Sequence, residues 1–528
     1  MNIQRAIHSI LARNRTWLWP FALALVAALA VLQAAGPASL ASAATARAST
    51  IDIARIDAFV SEQVQRDGIP GVSLGLVEGD QIIHLQGFGK ADQTGRAITP
   101  QTPFILASVS KPVTALAIMQ LVEVGKIDLD APVQRYLPAF RVADPVASAQ
   151  ITVRNLLQHT TALPATECQS RNSNSTLEQY VGELRNVKLT GPVGAAHDYC
   201  SGNYNVLGRI VEVVSGESFA DYMQQHVFAP LQMRHSYATL EAARQDNLAQ
   251  TYTWMFGAAM PVPTYYIPSQ VPSGYLSASA EDMCHFLIAQ LNDGRYGDRS
   301  VLSPSGIAAM QAPGVPTPQG ELYGLGLVRS TVGGVPIIHH DGVHANTRTY
   351  LFFEPQTRRG AVLLINSWGI VAAPELEAIE AGVVRLLAGQ DPAPASSLSL
   401  PTIYLILDAV MLGILSLALL PLLRMRRWNR RWQQNYLAGR PRWALLGLRL
   451  AYEIGVPVLL LIGLQWVLDQ LGAQSWYEGL TFLPELVSFA CTLALLMLLA
   501  AALRAAIVFG ALRRATAASN VRVSPSAS

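Results

Sequence analysis

Residues 108–125 read SVSKPVTALAIMQLVEVG, and the conformation of this stretch governs how the rest of the chain is read. Its apolar periodicity predicts an amphipathic helix that opens on Ser108 and Lys111. Residues three apart share a helix face, so the Lys111 ammonium can fold back over the Ser108 hydroxyl. A helix N-terminus adds backbone N–H groups and a positive dipole end that favour developing negative charge. Pro112 suits the first turn, where its missing donor costs nothing. An exposed Ser and Lys in an ordinary helical turn would look the same, and S-x-x-K alone is a weak motif. Lysine usage adds weight. Only four of the 38 basic residues are lysines, at positions 90, 111, 126 and 188. An arginine cannot lose its proton near neutral pH, whereas a desolvated lysine can.

Two further clusters lie downstream. Tyr199-Cys200-Ser201 sits in HDYCSGNYNVLGRIVEVVSG (197–216), just before an apolar-periodic helix. His340-Asp341-Gly342 sits in VPIIHHDGVHANTRTYLFFEPQTRRGAVLLIN (335–366). That stretch alternates like antiparallel strands with a turn at Gln356–Gly360. Taken singly, a core-anchored tyrosine and a solvated strand-end histidine are the plainer readings. In the order Ser-x-x-Lys, Tyr-x-Ser, His-x-Gly the pattern resembles the serine β-lactamase and D-Ala-D-Ala carboxypeptidase superfamily, in its class C-related branch. IPGVSLGLVEGDQIIHLQGFGKAD (69–92), ITVRNLLQHTTALP (151–164) and PSGYLSASAEDMCHFL (272–287) agree, and the likeness covers residues 52–388. It implies an α/β, penicillin-binding-protein-like fold. The sheet is built from the opening hairpin and the three strands around 335–366, and is flanked by the domain's first and last helices. A mostly helical insertion covers 120–320. The resemblance puts Ser108 on a helix, Tyr199 on a loop and His340 on the edge strand.

Of the 528 residues 14% are charged and 51% apolar, a high apolar share for a wholly soluble protein. The excess sits at the two ends. Arg5, Arg13 and Arg15 precede the apolar run Thr16–Gly36, and Ala41-Ser42-Ala43 offers an A-x-A-like processing site. This predicts a signal peptide over 1–43, with an uncleaved anchor as the alternative; either exports the domain. Segments 402–423, 444–468 and 481–503 are each long enough to cross a membrane as a helix. The first link carries Arg424, Arg426, Arg427, Arg430, Arg431, Arg440 and Arg442 and no acid. The second carries Asp469 and Glu478 and no base, and Arg504, Arg513 and Arg514 follow the third segment. The positive-inside rule then puts the arginine loop and C-terminus in the cytoplasm and residues 44–400 outside. The expected organisation is a domain over 44–388, a linker over 389–401, three spans within 402–514 and a disordered cytoplasmic tail over 515–528. A bacterial inner membrane with the domain in the periplasm follows. Asp408, Glu453 and Glu485 fall near span ends, where Arg449 can pair with Glu453 one turn away. The net charge of +2 is dominated by arginines flanking the spans, and no basic stripe with interleaved aromatics points to nucleic acid.

The resemblance also implies chemistry. Ser108 would attack a carbonyl carbon and form an acyl-enzyme. The base is either Lys111, held neutral by desolvation, or a Tyr199 phenolate. The Ser108 amide and Val343, directly after His-x-Gly342, match the oxyanion donors. His340 replaces the lysine of the usual K-T-G triplet, as in esterase and peptidase relatives. An imidazole is protonated only part of the time near pH 7, which weakens anchoring of a substrate carboxylate. Ser201 stands where many relatives have Asn and keeps a hydroxyl for the substrate amide. Cys168 and Cys200 lie in loop-like segments of an exported domain, where disulfides persist; they either pair and pin the Tyr199 loop or stay free. Cys284 and Cys491 are expected as buried thiols. His339, His340, Asp341 and His344 lack the helical i,i+4 geometry of a zincin, so no metal is predicted. No glycine loop cradles a phosphate, and no cofactor is predicted.

An exported domain of this branch with Tyr-x-Ser and three C-terminal spans resembles a narrower group. These are the prodrug-activating peptidases of nonribosomal peptide and polyketide pathways, of the colibactin, xenocoumacin and zwittermicin type. The group implies removal of an N-acyl-D-asparagine cap, with Ser201 and Asn346 in contact with the D-asparagine side chain; Asn346 reads equally as a turn residue. No histidine near Gln270 matches a further polar contact of that pocket. The partners expected are a small-molecule or lipopeptide substrate and the inner membrane, with a homodimer left open. The alternatives are an esterase, a wall D-Ala carboxypeptidase or β-lactamase-like enzyme, an inert β-lactam sensor, and a partner-binding or transport module.

Overall fold

Continuous and alternating apolar runs become the strands of one antiparallel sheet in the computed structural model, which describes residues 51–165, 174–344, 346–439, 443–470, 479–480 and 483–521. In chain order its strands are β1 (Gly71–Glu78), β2 (Gln81–Gly89), β3 (Val315–Pro316), β4 (Leu322–Tyr323), β5 (Val328–Val332), β6 (Val335–His344), β7 (Thr347–Glu354) and β8 (Arg359–Ile365). They lie side by side as β2-β1-β8-β7-β6-β5-β4-β3. β1 pairs with β8 from Val72↔Ile365 to Glu78↔Arg359, closing the sheet between its first and last segments. β1, β7 and β8 are buried along nearly their whole length, the pattern of strands covered on both faces. The turn joining β7 to β8 spans residues 355–358, and Gly360 is already within β8.

Helix α1 (Ile53–Asp67) starts where the Asp52 carboxylate accepts the Arg55 N–H and ends on Gly68 at φ 64°. It packs with α5 (Ala373–Leu387) on one side of the sheet. Their approach is close, since a Cβ at Gly382 would stand 2.3 Å from the Phe59 ring. Between them in sequence come α2 (Ser110–Glu123), α3 (Gly202–Ser215) and α4 (Ala280–Leu291), of which α4 lies against β1 and β8. The expected amphipathic character of α2 is not what the structure shows. Every residue from Ser110 to Met119 is buried, as befits a helix apolar on all sides. Short hairpins, Thr251–Met255 with Ala258–Val262 and Arg295–Tyr296 with Arg299–Ser300, interrupt the helical region.

His340 was expected on an edge strand. β6 is an inner strand, because β5, β4 and β3 extend the sheet beyond it. The pairing of β5 ends at Val328↔His339, however, so from His340 onward β6 has β7 as its only strand neighbour in this sheet.

Residues 51–401 and 402–521 form separate compact units. In the second, α6 (Leu400–Leu423), α8 (Trp443–Gln470) and α9 (Pro484–Val521) are long and apolar enough to cross a membrane. Within the arginine link, Met425–Leu437 forms helix α7. Helix α9 runs on to Val521, so residues 515–521 are helical where a disordered tail was expected; the alanines at 515, 517 and 518 favour this. Glu453 is buried and makes the expected pair with Arg449 (3.3 Å), and it also pairs across helices with Arg504. The predicted signal peptide (1–43) lies outside the described residues.

Candidate active site

Ser108 lies in a 3-10 turn, Ala107–Val109, one step before α2 begins. Ala107 has φ 47°, a left-handed conformation that costs an L-residue on the order of 1 kcal/mol. Neighbours hold the turn on both sides. The Leu106 N–H donates to Leu276 O (2.8 Å), and the Leu276 N–H donates to Ser110 Oγ (3.2 Å). From the sheet, Thr349 Oγ1 donates to Leu106 O (2.6 Å). A Cβ on Gly342 would come within 2.2 Å of Thr349 Oγ1 and 2.6 Å of Leu106 O. The glycine of His-x-Gly therefore lets β6 lie against the serine's turn.

Lys111 is fully buried. Its Nζ donates to Ser108 Oγ (2.9 Å), Ser201 Oγ (3.3 Å) and the Ser273 carbonyl (2.8 Å). Three N–H donors meet three oxygens, none of them charged. Desolvation lowers the Lys111 pKa to about 7, with the Asp341 charge pulling the other way. The Tyr199 ring lies 4.8 Å from Lys111 Nζ. Burial of the phenol raises its pKa well above the usual 10, opposed by contact with the Ser108 hydroxyl, although 37% of the residue remains exposed. Of the two bases left open by the sequence, burial favours the free-base form of Lys111 and the protonated form of Tyr199.

The Tyr199 loop rests on His159, a residue that the motifs did not single out. His159 Nδ1 accepts the Cys200 N–H (3.2 Å) and bonds Asn203 Nδ2 (3.1 Å), and its ring lies 4.3 Å from that of Tyr199. Burial keeps this imidazole neutral, well below its ordinary range. Cys200 is disulfide-bonded; Cys168, its expected partner, lies outside the described residues. Cys284 is a buried free thiol as expected, whereas the free Cys491 is exposed on α9.

His340 departs from expectation in its charge. Its Nδ1–H donates to the Asp341 carbonyl (2.6 Å), which leaves Nε2 to accept the Tyr323 hydroxyl (3.0 Å). Burial pushes its pKa below the imidazole range, against the pull of Asp341. Burial thus favours the neutral imidazole over the part-time cation expected. Tyr323, on the two-residue strand β4, gave no periodic signal by which to find it. His344 faces the Tyr275 hydroxyl (2.7 Å). Behind β6, Arg348 pairs in bidentate fashion with Glu380 (2.7 and 2.6 Å) and reaches Asp341 (3.2 Å). Among the described residues no group of three or more His, Cys, Asp or Glu side chains is arranged to hold a metal.

The structure thus gathers Ser108, Lys111, Tyr199 and Ser201, with Gly342 pressed on the same turn and Val343 exposed beside it. Asn346 makes no hydrogen bond to that group among the described residues. It is buried at the β6–β7 turn, and its Nδ2 has no partner among the described residues.

The profile of the beta-lactamase family matches residues 56–383, more than half of the chain. The chain belongs to the beta-lactamase family. It is 32% identical over 324 residues to penicillin-binding protein 4 of Amycolatopsis lactamdurans, covering 59% of this chain and 84% of that protein. It is 25% identical over 453 residues to protein flp of Staphylococcus aureus strain MW2, covering 84% of this chain and 88% of that one. The second alignment is longer than the family match, so likeness runs beyond the family domain. Among solved structures, the octameric penicillin-binding protein homologue from Pyrococcus abyssi superposes with a TM-score of 0.58 at 26% identity, over 65% of this chain and 78% of that one. The fold is that of β-lactamases and penicillin-binding proteins, followed by three helices able to span a membrane.

Proposed function

We propose that this chain is a membrane-anchored serine hydrolase, its domain outside the cytoplasm, that works through an acyl-enzyme on Ser108. The observation that carries the proposal is a fully buried Lys111 amine 2.9 Å from Ser108 Oγ, with a pKa near 7 and only neutral oxygens around it. The free amine takes the Ser108 proton as Oγ bonds to the carbonyl carbon. The oxyanion is received by the backbone N–H groups of Ser108 and Val343. Tyr199, held in its protonated form, gives its proton to the departing nitrogen as the C–N bond breaks and recovers one from Lys111. Water then attacks the ester, returning the serine.

The substrate we infer is an amide beside a D-residue, with removal of an N-acyl-D-asparagine cap as the specific case. Neutral His340 supports a substrate without a carboxylate to anchor, and the buried, unpartnered Asn346 Nδ2 supports a polar side chain to be met. The name of the Amycolatopsis relative favours a second reading, a penicillin-reactive enzyme. Full-length detergent-solubilised protein is offered a fluorophosphonate probe, then N-myristoyl-D-Asn and L-Asn amides side by side. Labelling of wild type, none of Ser108→Ala, and cleavage of the D-amide alone are expected. Equal labelling of both proteins ends the nucleophile assignment. Cleavage of neither amide, with brisk turnover of p-nitrophenyl esters or of penicillin, replaces the peptidase by the corresponding alternative.

A further inference from the structure

Helix α7, MRRWNRRWQQNYL, separates its side chains into two faces. At 100° per residue Arg424, Arg426, Arg427, Arg430 and Arg431 fall on one side, while Met425, Trp428, Trp432 and Tyr436 fall on the other. The structure uses these faces differently. Trp432 is buried with Leu446 and Val508, and Trp428 and Leu450 pack against that cluster. Trp428 and Trp432 stack at 5.8 Å, and Trp443 meets Trp432 edge-on at 5.3 Å. The apolar face is therefore consumed by α8 and α9. All five arginines are exposed. Among the described residues, the ion pairs of this unit, Arg449–Glu453 and Arg504–Glu453, involve none of them, and no acid lies between residues 424 and 439.

We propose that this arginine face binds the anionic headgroups of the adjoining leaflet, making acidic phospholipid a ligand of the chain. Helix α7 follows directly on α6, which ends at Leu423, and precedes α8, which begins at Trp443. With both neighbours in the hydrocarbon, α7 lies at headgroup depth, its aromatic face inward. Guanidinium groups match phosphate oxygens two at a time. Each basic residue beside an anionic surface strengthens adsorption roughly fivefold. The proposal rests on α6 and α8 spanning the membrane and not on the catalytic assignment.

The test takes the full-length protein in neutral detergent and measures retained lipid by native mass spectrometry, with phosphatidylglycerol and phosphatidylcholine as probes. Wild type retains phosphatidylglycerol at least about tenfold better. Changing Arg426, Arg427, Arg430 and Arg431 together to Gln removes the preference, and changing all four to Lys keeps most of it. Equal retention of the two lipids overturns the proposal, as does an undiminished preference in the Gln variant. Displacement of the lipid by an equal concentration of inorganic phosphate overturns it too, since a free-phosphate site then explains the binding. So does tighter binding of a DNA duplex. Should the Gln variant fail to insert, wild type in rising salt decides: the preference fades as the charges are screened, and its persistence at high salt overturns the proposal.

Discussion

Lys111 and Arg348 are two buried cations of one domain, 0% and 6% exposed, and their surroundings make them opposites. Arg348 has Glu380 on a bidentate bond and Asp341 at 3.2 Å, so its charge is matched and its pKa is raised despite burial. Lys111 has two hydroxyls and a carbonyl, which satisfy its N–H groups without paying back the cost of an unpaired charge. Burial lowers the pKa of both residues, and their neighbours decide the outcome: the carboxylates around Arg348 outweigh it, and the neutral oxygens around Lys111 do not. Beside carboxylates a buried cation becomes a fixed strut; beside neutral oxygens it becomes a group that can give up its proton. The chain's preference for arginine, broken at position 111, has its physical meaning here.

The strongest way to break this contrast is Lys111→Arg. A guanidinium stays protonated, so acylation of Ser108 by a fluorophosphonate should slow about 10⁴-fold with the fold intact by circular dichroism. Retention of a tenth or more of the wild-type rate would show that the buried amine is not the base. The converse change is made at the strut. Glu380→Gln leaves Arg348 with Asp341 alone and should destabilise the domain by about 3–5 kcal/mol in urea unfolding. A loss within about 0.5 kcal/mol, the usual range for surface substitutions, would mean that the ion pair is not what holds Arg348 in place.

Half of this contrast is legible in the sequence. Ser108 and Lys111 lie within one turn, and lysine is rare enough to be noticed. The opening hairpin and the spans are carried by period and length, which a linear string displays. The oxygens that make the lysine pocket are not displayed. Ser201 and Ser273 lie 90 and 162 residues beyond Lys111, and a main-chain carbonyl has no sequence signature. Arg348 and Glu380 read as a strand residue and a helix residue, and only the sheet brings them together. His159 belongs to a quoted segment, but its task of carrying the Tyr199 loop depends on tertiary packing. β3 and β4, at two residues each, are too short for any periodicity, so the sequence does not display the strands that make β6 an inner one. Helix α7 is legible in principle, since its aromatic residues recur at helical spacing among the arginines.

Gly342→Ala sharpens the comparison by moving the sheet and leaving both cations in place. Its methyl group would meet Thr349 Oγ1 and the Leu106 carbonyl, so β6 must back away from the Ser108 turn. A drop of about 100-fold in kcat, the scale expected for a misplacement of about 1 Å, with the unfolding midpoint shifted only slightly, is the expected result. A kcat within twofold of wild type would mean that the serine's turn does not depend on its contact with β6.

Asp341 is where the two regions meet, and it offers the smallest and most discriminating effect. It pairs with Arg348 on one side, and its negative charge raises the pKa of Lys111 on the other. In the wild type, kcat/KM should climb about tenfold per pH unit on the acid side and level off above about 7, where Lys111 is the free amine. Removing the charge in Asp341→Asn takes away a force that favours the ammonium, so the Lys111 pKa falls and the inflection moves to lower pH. The displacement should be a fraction of a unit to one unit, about tenfold in rate or less at a fixed acid pH. An inflection displaced upward, or one that stays put while the plateau alone drops, would mean that the acid limb reports a group other than Lys111. The two cations would then be neighbours in the fold without being linked in their charge.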